Sequence, residues 1–190
     1  TAYYYPNDRS MVHYKGTHWF LVNGMTDRVW GLSSYATGMA RHRGSEGTWR
    51  DAEDGLLGRN AIAQGSVDST VSIHLKLERT ASAYYWIGAG KDLNEVQTLD
   101  RRVRELGPEM ILRRVRAYWR QWVSHDHSHP GLPADIRSFY RRSLLIMRTQ
   151  IDNRGAILAA NDSDSLDYSR DSYSYLWPRD GALVAHALDM

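Results

Sequence analysis

Residues 84–108 read YYWIGAGKDLNEVQTLDRRVRELGP, and the periodicity of the chain changes within this stretch. The residues up to Gly90 suit a β-strand, whereas Asp92 or Asn94 can cap an α-helix that follows. The apolar residues of that helix recur at helical spacing: Val96, Leu99, Val103 and Leu106. Gly107-Pro108 ends this helix and begins the next one. The stretch therefore predicts strands before residue 90 and helices after it.

The first ninety residues predict antiparallel strands. Short apolar and aromatic runs at 12–14, 19–22 and 29–35 are separated by Asn-Gly, Lys-Gly and Thr-Gly steps, as turns between strands require. Apolar and polar residues alternate from Val71 to Glu78, which predicts another strand with one buried face. A further strand fits Ala83 to Ala89.

The part of the chain after residue 90 predicts successive helices. In the second helix, four apolar residues share one face: Ile111, Val115, Tyr118 and Trp122. A third helix follows Pro133, and its apolar stripe contains Ile136, Tyr140, Leu144, Met147 and Ile151. Strands followed by helices indicate an α+β, multidomain arrangement and not a doubly wound parallel sheet. We expect a strand domain at 1–90, a helical linker at 91–132 and a helical domain at 133–190.

Composition limits the classes of partner. The 190 residues carry 24 basic and 22 acidic side chains, so the formal charge of +2 gives little reason to expect nucleic acid or an anionic membrane as a partner. The absence of cysteine excludes disulfides and thiolate zinc sites. No apolar run approaches the roughly 20 residues that span a bilayer, so we expect a soluble protein. The compartment stays open, with a cytoplasmic location favoured over a secreted one.

Two groups of residues suggest chemistry but have a simpler interpretation. His125, His127 and His129 alternate, and imidazoles are good zinc or nickel ligands, but no fourth ligand accompanies them and a polar loop is favoured. The seven arginines between Arg101 and Arg120 suggest phosphate binding. They fall mostly opposite the apolar stripe of the predicted helices, so a solvated surface is favoured.

Two groups of acidic residues also suggest chemistry but have a simpler interpretation. The segment NDSDSLDYSRD suggests calcium binding, but it lacks the glycine and the closing glutamate of an EF-hand; its acidic residues are Asp162, Asp164, Asp167 and Asp171. Asp51, Glu53 and Asp54 are close enough in sequence to act as acid and base, but an exposed turn is favoured. No metal or cofactor is predicted.

Residues 173–189, YSYLWPRDGALVAHALD, carry the strongest functional signal. Pro178 is favoured in the first turn of a helix, so Arg179 and Asp180 are expected to point outward, while 182–188 supply a buried stripe. Arginine donates and aspartate accepts, and together they suit sugar hydroxyls, which do both. Trp177, Tyr173 and Tyr175 offer flat faces for a pyranose ring. An Arg-Asp ion pair capping a helix over an aromatic core explains the same residues equally well.

Three segments resemble a known family: GTWRDAEDGLLGRNAIAQGSVDSTVSIHL, YYWIGAGKDLNEVQTL and YRRSLLIMRTQIDNRGAILAANDSDSLDYSRDSYSYLWPRDGALVAHALD. Together they are similar to the bacterial and archaeal glucoamylase-related enzymes of glycoside hydrolase family 15. The resemblance runs from about Gly47 to Met190 and is looser before that. It implies part of an amino-terminal β-supersandwich, a helical linker and the start of an (α/α) six-hairpin barrel. That order agrees with the predicted succession of strands and helices.

The resemblance also implies roles for individual residues. Arg179 and Asp180 match the family's Trp-x-Arg-Asp motif and would bind the outer hydroxyls of the non-reducing-end glucose. Trp177 and Tyr173 would line the same subsite. The family inverts anomeric configuration with two carboxyl groups about 6.5 to 9.5 Å apart. Both glutamates of the family lie downstream of this motif, beyond Met190.

The expected function follows from this resemblance. It is that of an exo-acting α-glucosidase of the glucoamylase type, which releases glucose from starch-like or malto-oligosaccharides. Because no glutamate of this chain matches the acid or the base, and the barrel would be truncated, we expect the chain alone to be inactive. The expected partners are an oligosaccharide or polysaccharide and the rest of the barrel. The alternatives are a trehalase or dextran-acting relative, a non-catalytic carbohydrate-binding fragment and a metal-binding module at residues 125–129.

Overall fold

The computed structural model describes residues 1–26, 29–40, 44–124, 131–161 and 175–189. These residues form an α+β fold, as predicted, and their contacts divide the chain into two compact units, Thr1–Ile111 and Leu112–Met190. The strands are β1 (Ala2–Tyr5), β2 (Ser10–Lys15), β3 (His18–Thr26), β4 (Val29–Trp30), β5 (Ser34–Met39), β6 (Ile62–Ala63), β7 (Val67–Ser72) and β8 (Ala83–Gly90). The helices are α1 (Trp49–Asp54), α2 (Leu93–Leu106), α3 (Pro108–Ser124), α4 (Ala134–Thr149) and α5 (Pro178–Asp189).

Two antiparallel sheets pack together in the first unit. The larger sheet has the strand order β4-β3-β2-β1-β6, with β8 paired to β3, and the smaller one consists of β5 and β7. The rings of Tyr4 and Tyr35 stack between the sheets with their centroids 3.7 Å apart. His13 Nε2 lies 2.7 Å from Ser69 Oγ and links the sheets a second time. These contacts join the larger sheet to the smaller one through the face that carries Tyr4 and His13.

Helix α2 covers the opposite face of the larger sheet. Val96 is fully buried against Val12 and Leu21, and this cluster is the core of the unit. As the sequence predicts, Asp92 caps the helix, since its side chain accepts a hydrogen bond from the Glu95 backbone N–H at 2.8 Å. The boundary between the contact units at residues 111 and 112 falls inside the segment 91–132, which the sequence assigns to a linker. The division into three segments therefore stays a prediction.

The predicted strand from Val71 to Glu78 is wrong beyond Ser72. Strand β7 ends there because its partner β5 begins at Ser34, which is paired with Ser72. The following leucines do not form a buried face, since Leu75 is 41% and Leu77 is 68% exposed. An alternating pattern buries one face only where a neighbouring strand continues. The predicted run at 29–35 is likewise divided into β4 and β5, with Gly31 between them at a φ of 99°.

The second unit contains most of α3, together with α4 and α5. Helices α3 and α5 begin at Pro108 and Pro178, and α4 directly follows Pro133, as the sequence predicts. The buried stripe expected at 182–188 is wrong, because no residue of α5 is buried and Leu183 is 65% exposed. Within the described residues, α5 meets the preceding segment at its first turn, where Gly181 lies against Ile157. No helix among the described ranges is both long enough and apolar enough to cross a membrane.

Candidate functional site

The candidate site lies at the first turn of α5. Trp177 directly precedes Pro178, and its carbonyl accepts the first hydrogen bond of the helix from the Gly181 N–H at 2.8 Å. Proline suits this position because its fixed φ matches the helix and its missing N–H has no partner to lose there. Arg179 and Asp180 follow within the same turn. The predicted helix start at Pro178 is confirmed, and it places Arg179 and Asp180 in the first turn, after Trp177 in sequence.

A short turn before α5 holds this helix start in place. Asp152 Oδ1 accepts hydrogen bonds from the backbone N–H groups of Arg154 and Ala156, each at 2.8 Å. These N–H groups, with that of Ala156 first, hold the pKa of Asp152 below its usual range. The chain reverses at Gly155, which has a φ of 90°. It then forms a bridge from Leu158 to Leu176, the residue before Trp177.

The turn is formed by one of the sequence motifs quoted above. The segment Asp-Asn-Arg-Gly-Ala-Ile, residues 152–157, forms the turn, and Ala159 N–H donates to the Tyr175 carbonyl at 3.0 Å. Sequence reasoning used this segment only as a mark of resemblance and assigned no role to Asp152. An aspartate followed by Asn, Arg and Gly was the available signal, because aspartate readily bonds the backbone two residues ahead.

The polar groups of the site are accessible to a ligand. Arg179 Nε donates to Asp180 Oδ1 at 3.1 Å, while the two side chains remain 85% and 47% exposed. An arginine has five N–H donors, and this contact uses one of them. Trp177, two residues before Arg179 in sequence, is 48% exposed and presents apolar ring surface to solvent. The arrangement suits a ligand with hydroxyl groups on its rim and C–H groups on its face.

The aromatic residues around the pair do not form a core among the described residues. Tyr175 is 62% exposed, and Trp177 is about half exposed. The ion pair that the alternative interpretation requires is present, but the aromatic core beneath it is not found in the described part of the chain. Tyr173, which the resemblance assigns to the same subsite, lies outside the described residues.

The other candidate groups contribute no site within the described residues. His125, His127 and His129 lie outside those ranges, as do the acidic residues at 162, 164, 167 and 171. The acidic group lies in helix α1 and not in the turn that the sequence favours. Its Asp51 Oδ1 accepts from the Gly58 N–H and its Asp54 Oδ1 from the Leu56 N–H, so both carboxylates bond the backbone that follows the helix. In the described ranges, no three histidine or acidic side chains come together to hold a metal ion.

Sequence reasoning missed a buried polar cluster in the first unit. The Asp100 side chain is fully buried, and its Oδ1 accepts from Asn23 Nδ2 at 3.0 Å and from Trp86 Nε1 at 2.9 Å. Arg104 Nε lies 2.9 Å from Asp100 Oδ2, and Arg104 Nη2 donates to Asp8 Oδ1 at 2.9 Å. Burial raises the pKa of Asp100, although the bonds from Trp86 and Asn23 and the charge of Arg104 oppose this effect.

The sequence contained a signal for this cluster. Asp100 follows Val96 by four residues and therefore lies on the buried face of α2, where an acidic side chain requires partners. Its partners come from distant strands, so the spacing alone could not identify them. Because Asp100 Oδ1 accepts from residues of β3 and β8 while Oδ2 lies beside Arg104, the cluster holds α2 on the sheet.

Comparisons with known proteins add no family to this picture. No protein-family model, no curated protein and no solved structure matches the chain. The functional conclusion therefore depends on the sequence motifs and on the geometry at the start of α5.

Proposed function

We propose that this chain supplies the glucose-binding subsite of an inverting, exo-acting α-glucosidase of the glucoamylase type. In this proposal, the first unit is part of a β-supersandwich, and α4 and α5 belong to an (α/α) six-hairpin barrel. The observation that carries the proposal is the exposed Arg179–Asp180 pair next to Trp177 at the start of α5. The resemblance of residues 47–190 to glycoside hydrolase family 15 gives the pair its specific role.

The proposed subsite binds the terminal sugar through complementary groups. The free N–H groups of Arg179 donate to hydroxyl oxygens, and the second carboxylate oxygen of Asp180 accepts from a neighbouring hydroxyl. Trp177 packs its ring against the C–H face of the pyranose. A subsite that satisfies the outer hydroxyls of one terminal glucose favours cleavage from the chain end.

The catalytic acid and base are assigned to other residues of the gene product. An inverting glycosidase uses one carboxylic acid to protonate the leaving oxygen and one carboxylate to activate water. The glutamates of this chain make structural contacts or match no family position: Glu46, Glu53, Glu78, Glu95, Glu105 and Glu109. Glu46 pairs with Arg50, Glu95 accepts from the Lys91 N–H, and Glu109 accepts from the Tyr84 hydroxyl. We therefore expect this chain by itself to release no glucose.

The decisive experiment measures glucose release by the gene product that carries this chain. Arg179→Ala and Asp180→Ala should each lower kcat/KM on maltose by about 100-fold, because each removes a charged hydrogen-bond partner of the sugar. Arg50→Ala is the matched control, since Arg50 belongs to another exposed ion pair, with Glu46, outside the proposed subsite. Wild-type turnover in both α5 variants would refute the assigned roles.

The same assay separates the alternatives. Preference for trehalose or isomaltose over maltose would replace the glucoamylase assignment with a trehalase or a dextran-acting enzyme. Glycan binding without hydrolysis by the complete gene product would indicate a non-catalytic carbohydrate-binding protein. Stoichiometric zinc at neutral pH would instead support the metal-binding alternative.

A further inference from the structure

A concave surface lies in the first unit. Trp30 of β4 and three residues of α2 line an open cleft of about 500 Å³; these three are Arg101, Arg104 and Glu105. Clefts of this volume accommodate ligands of a few rings. We propose that this cleft, here called the Trp30 cleft, binds a short neutral oligosaccharide. Trp30 supplies the stacking surface, and Arg101 and Glu105 bind the hydroxyl groups.

The walls of the Trp30 cleft are fixed from behind by the buried cluster. The Trp30 ring meets the Trp86 ring edge to face, with centroids 6.0 Å apart and planes at 69°. Trp86 Nε1 donates to Asp100, which also contacts Arg104 Nε. Trp30 and Arg104 therefore need little ordering when a ligand binds, and a preorganised site loses less entropy on binding.

The charges at the Trp30 cleft favour an uncharged ligand over an anion. Arg104 is compensated by the carboxylates of Asp8 and Asp100, both 2.9 Å from its guanidinium. The remaining lining charges, on Arg101 and Glu105, have opposite signs and are both exposed. Phosphate requires an excess of positive charge, which these residues do not provide. A hydroxyl group, in contrast, can accept from Arg101 and donate to Glu105.

The experiment follows the indole N–H resonances of the chain by ¹H–¹⁵N NMR during titration with maltotriose. The Arg179→Ala/Asp180→Ala background removes the proposed subsite on α5, so a remaining signal reports on the Trp30 cleft alone. We expect the Trp30 resonance, assigned by its loss in Trp30→Phe, to shift and saturate. Failure of the proposed enzymatic function would not change this result, because no residue of the cleft belongs to the α5 site.

Matched variants test which residues bind the sugar. Trp30→Ala, followed through the indole resonance of the neighbouring Trp86, and Glu105→Gln should each weaken binding by about tenfold, as loss of a stacking ring or of a charged acceptor does. Trp49→Ala is the control, since Trp49 is 50% exposed and lies beside Arg50 on α1, away from the cleft. If Trp30→Ala fails to fold, Arg101→Ala, which removes an exposed side chain of α2, provides the same test. Unsaturable shifts, affinities unchanged by these variants, or saturation by sodium phosphate in place of maltotriose would overturn the proposal.

Discussion

Two of the Arg–Asp ion pairs in the described part of the chain have almost the same separation and opposite surroundings. Arg104 lies 2.9 Å from Asp100, whose side chain is fully buried. Arg179 lies 3.1 Å from Asp180, and these two side chains are 85% and 47% exposed. A buried carboxylate that loses its partners cannot recover the lost interactions from water, whereas an exposed one can. The comparison shows that burial, and not distance, separates a pair that holds a fold from one that is free to bind a ligand.

Removal of the buried carboxylate should have the largest effect. Asp100→Ala leaves Trp86 Nε1 without its acceptor, Asn23 Nδ2 with only the Asp8 carbonyl, and Arg104 with one carboxylate of two. We therefore expect a loss of about 3 kcal/mol in the free energy of unfolding. Urea denaturation measures this loss. The matched variant, Asp180→Ala, should lie close to the wild type in the same assay. Equal losses in both variants would remove the distinction between the two pairs.

The same glycine substitution should have opposite effects in the two regions. At Gly24 of β3, a Cβ atom would lie 2.8 Å from the Tyr84 carbonyl oxygen and would overlap the Ile73 side chain. Gly24→Ala should therefore cost about 2 kcal/mol. At Gly181 of α5, the nearest atom is Ile157 Cβ at 4.0 Å, so alanine fits without overlap.

Gly181→Ala should consequently stabilise the chain by up to about 1 kcal/mol, because alanine favours the helix over glycine. Thermal unfolding of the two variants measures both effects under one set of conditions. A stabilised Gly24→Ala would mean that the packing between Ile73 and β3 is looser than the structure indicates. A strongly destabilised Gly181→Ala would mean that the first turn of α5 has neighbours that tolerate no added methyl group.

The elements that sequence reasoning predicted well depend on neighbours along the chain. The start of α2 needs only Asp92 and Glu95, and the starts of α3 and α5 need only a proline. The juxtaposition of Trp177, Arg179 and Asp180 is equally local, since one helical turn contains all of them. For this reason the helix start that carries the candidate site could be predicted, whereas the roles of its residues stay a prediction.

The elements that sequence reasoning missed depend on residues far apart in the chain. The end of β7 is fixed by where β5 begins, and the repeating pattern up to Glu78 contains no information about that partner. Asp100 and Asn23 are 77 residues apart, so their hydrogen bond follows from the tertiary fold alone. Exposure of α5 is of the same kind, because an apolar stripe shows which face would pack but not what covers it.

Histidine 13 offers a smaller, pH-dependent test of the buried region. Burial lowers the pKa of His13, against the opposing charge of Asp68. The folded chain therefore takes up this proton less readily than the unfolded chain, so stability is kept above the unfolded pKa and decreases as the pH falls below it. Unfolding in urea at pH 7.5 and pH 5.5 should show this decrease. His13→Gln should reduce the difference, whereas His186→Gln, on the exposed α5, should leave it unchanged.

The smallest effect on stability is expected at the exposed Arg179–Asp180 pair, where stability and activity are predicted to respond differently to the same substitution. Arg179→Ala and Asp180→Ala should each change the free energy of unfolding by no more than about 0.5 kcal/mol, because water replaces the lost partner. The same two variants are expected to abolish most sugar turnover in the gene product. Loss of activity with unchanged stability assigns the pair to ligand binding, since a pair that merely capped α5 would lower both together. A stability loss comparable to that of Asp100→Ala would show that the first turn of α5 depends on this pair. A loss of activity in the same variants would then follow from unfolding and would not support a role in glucose binding.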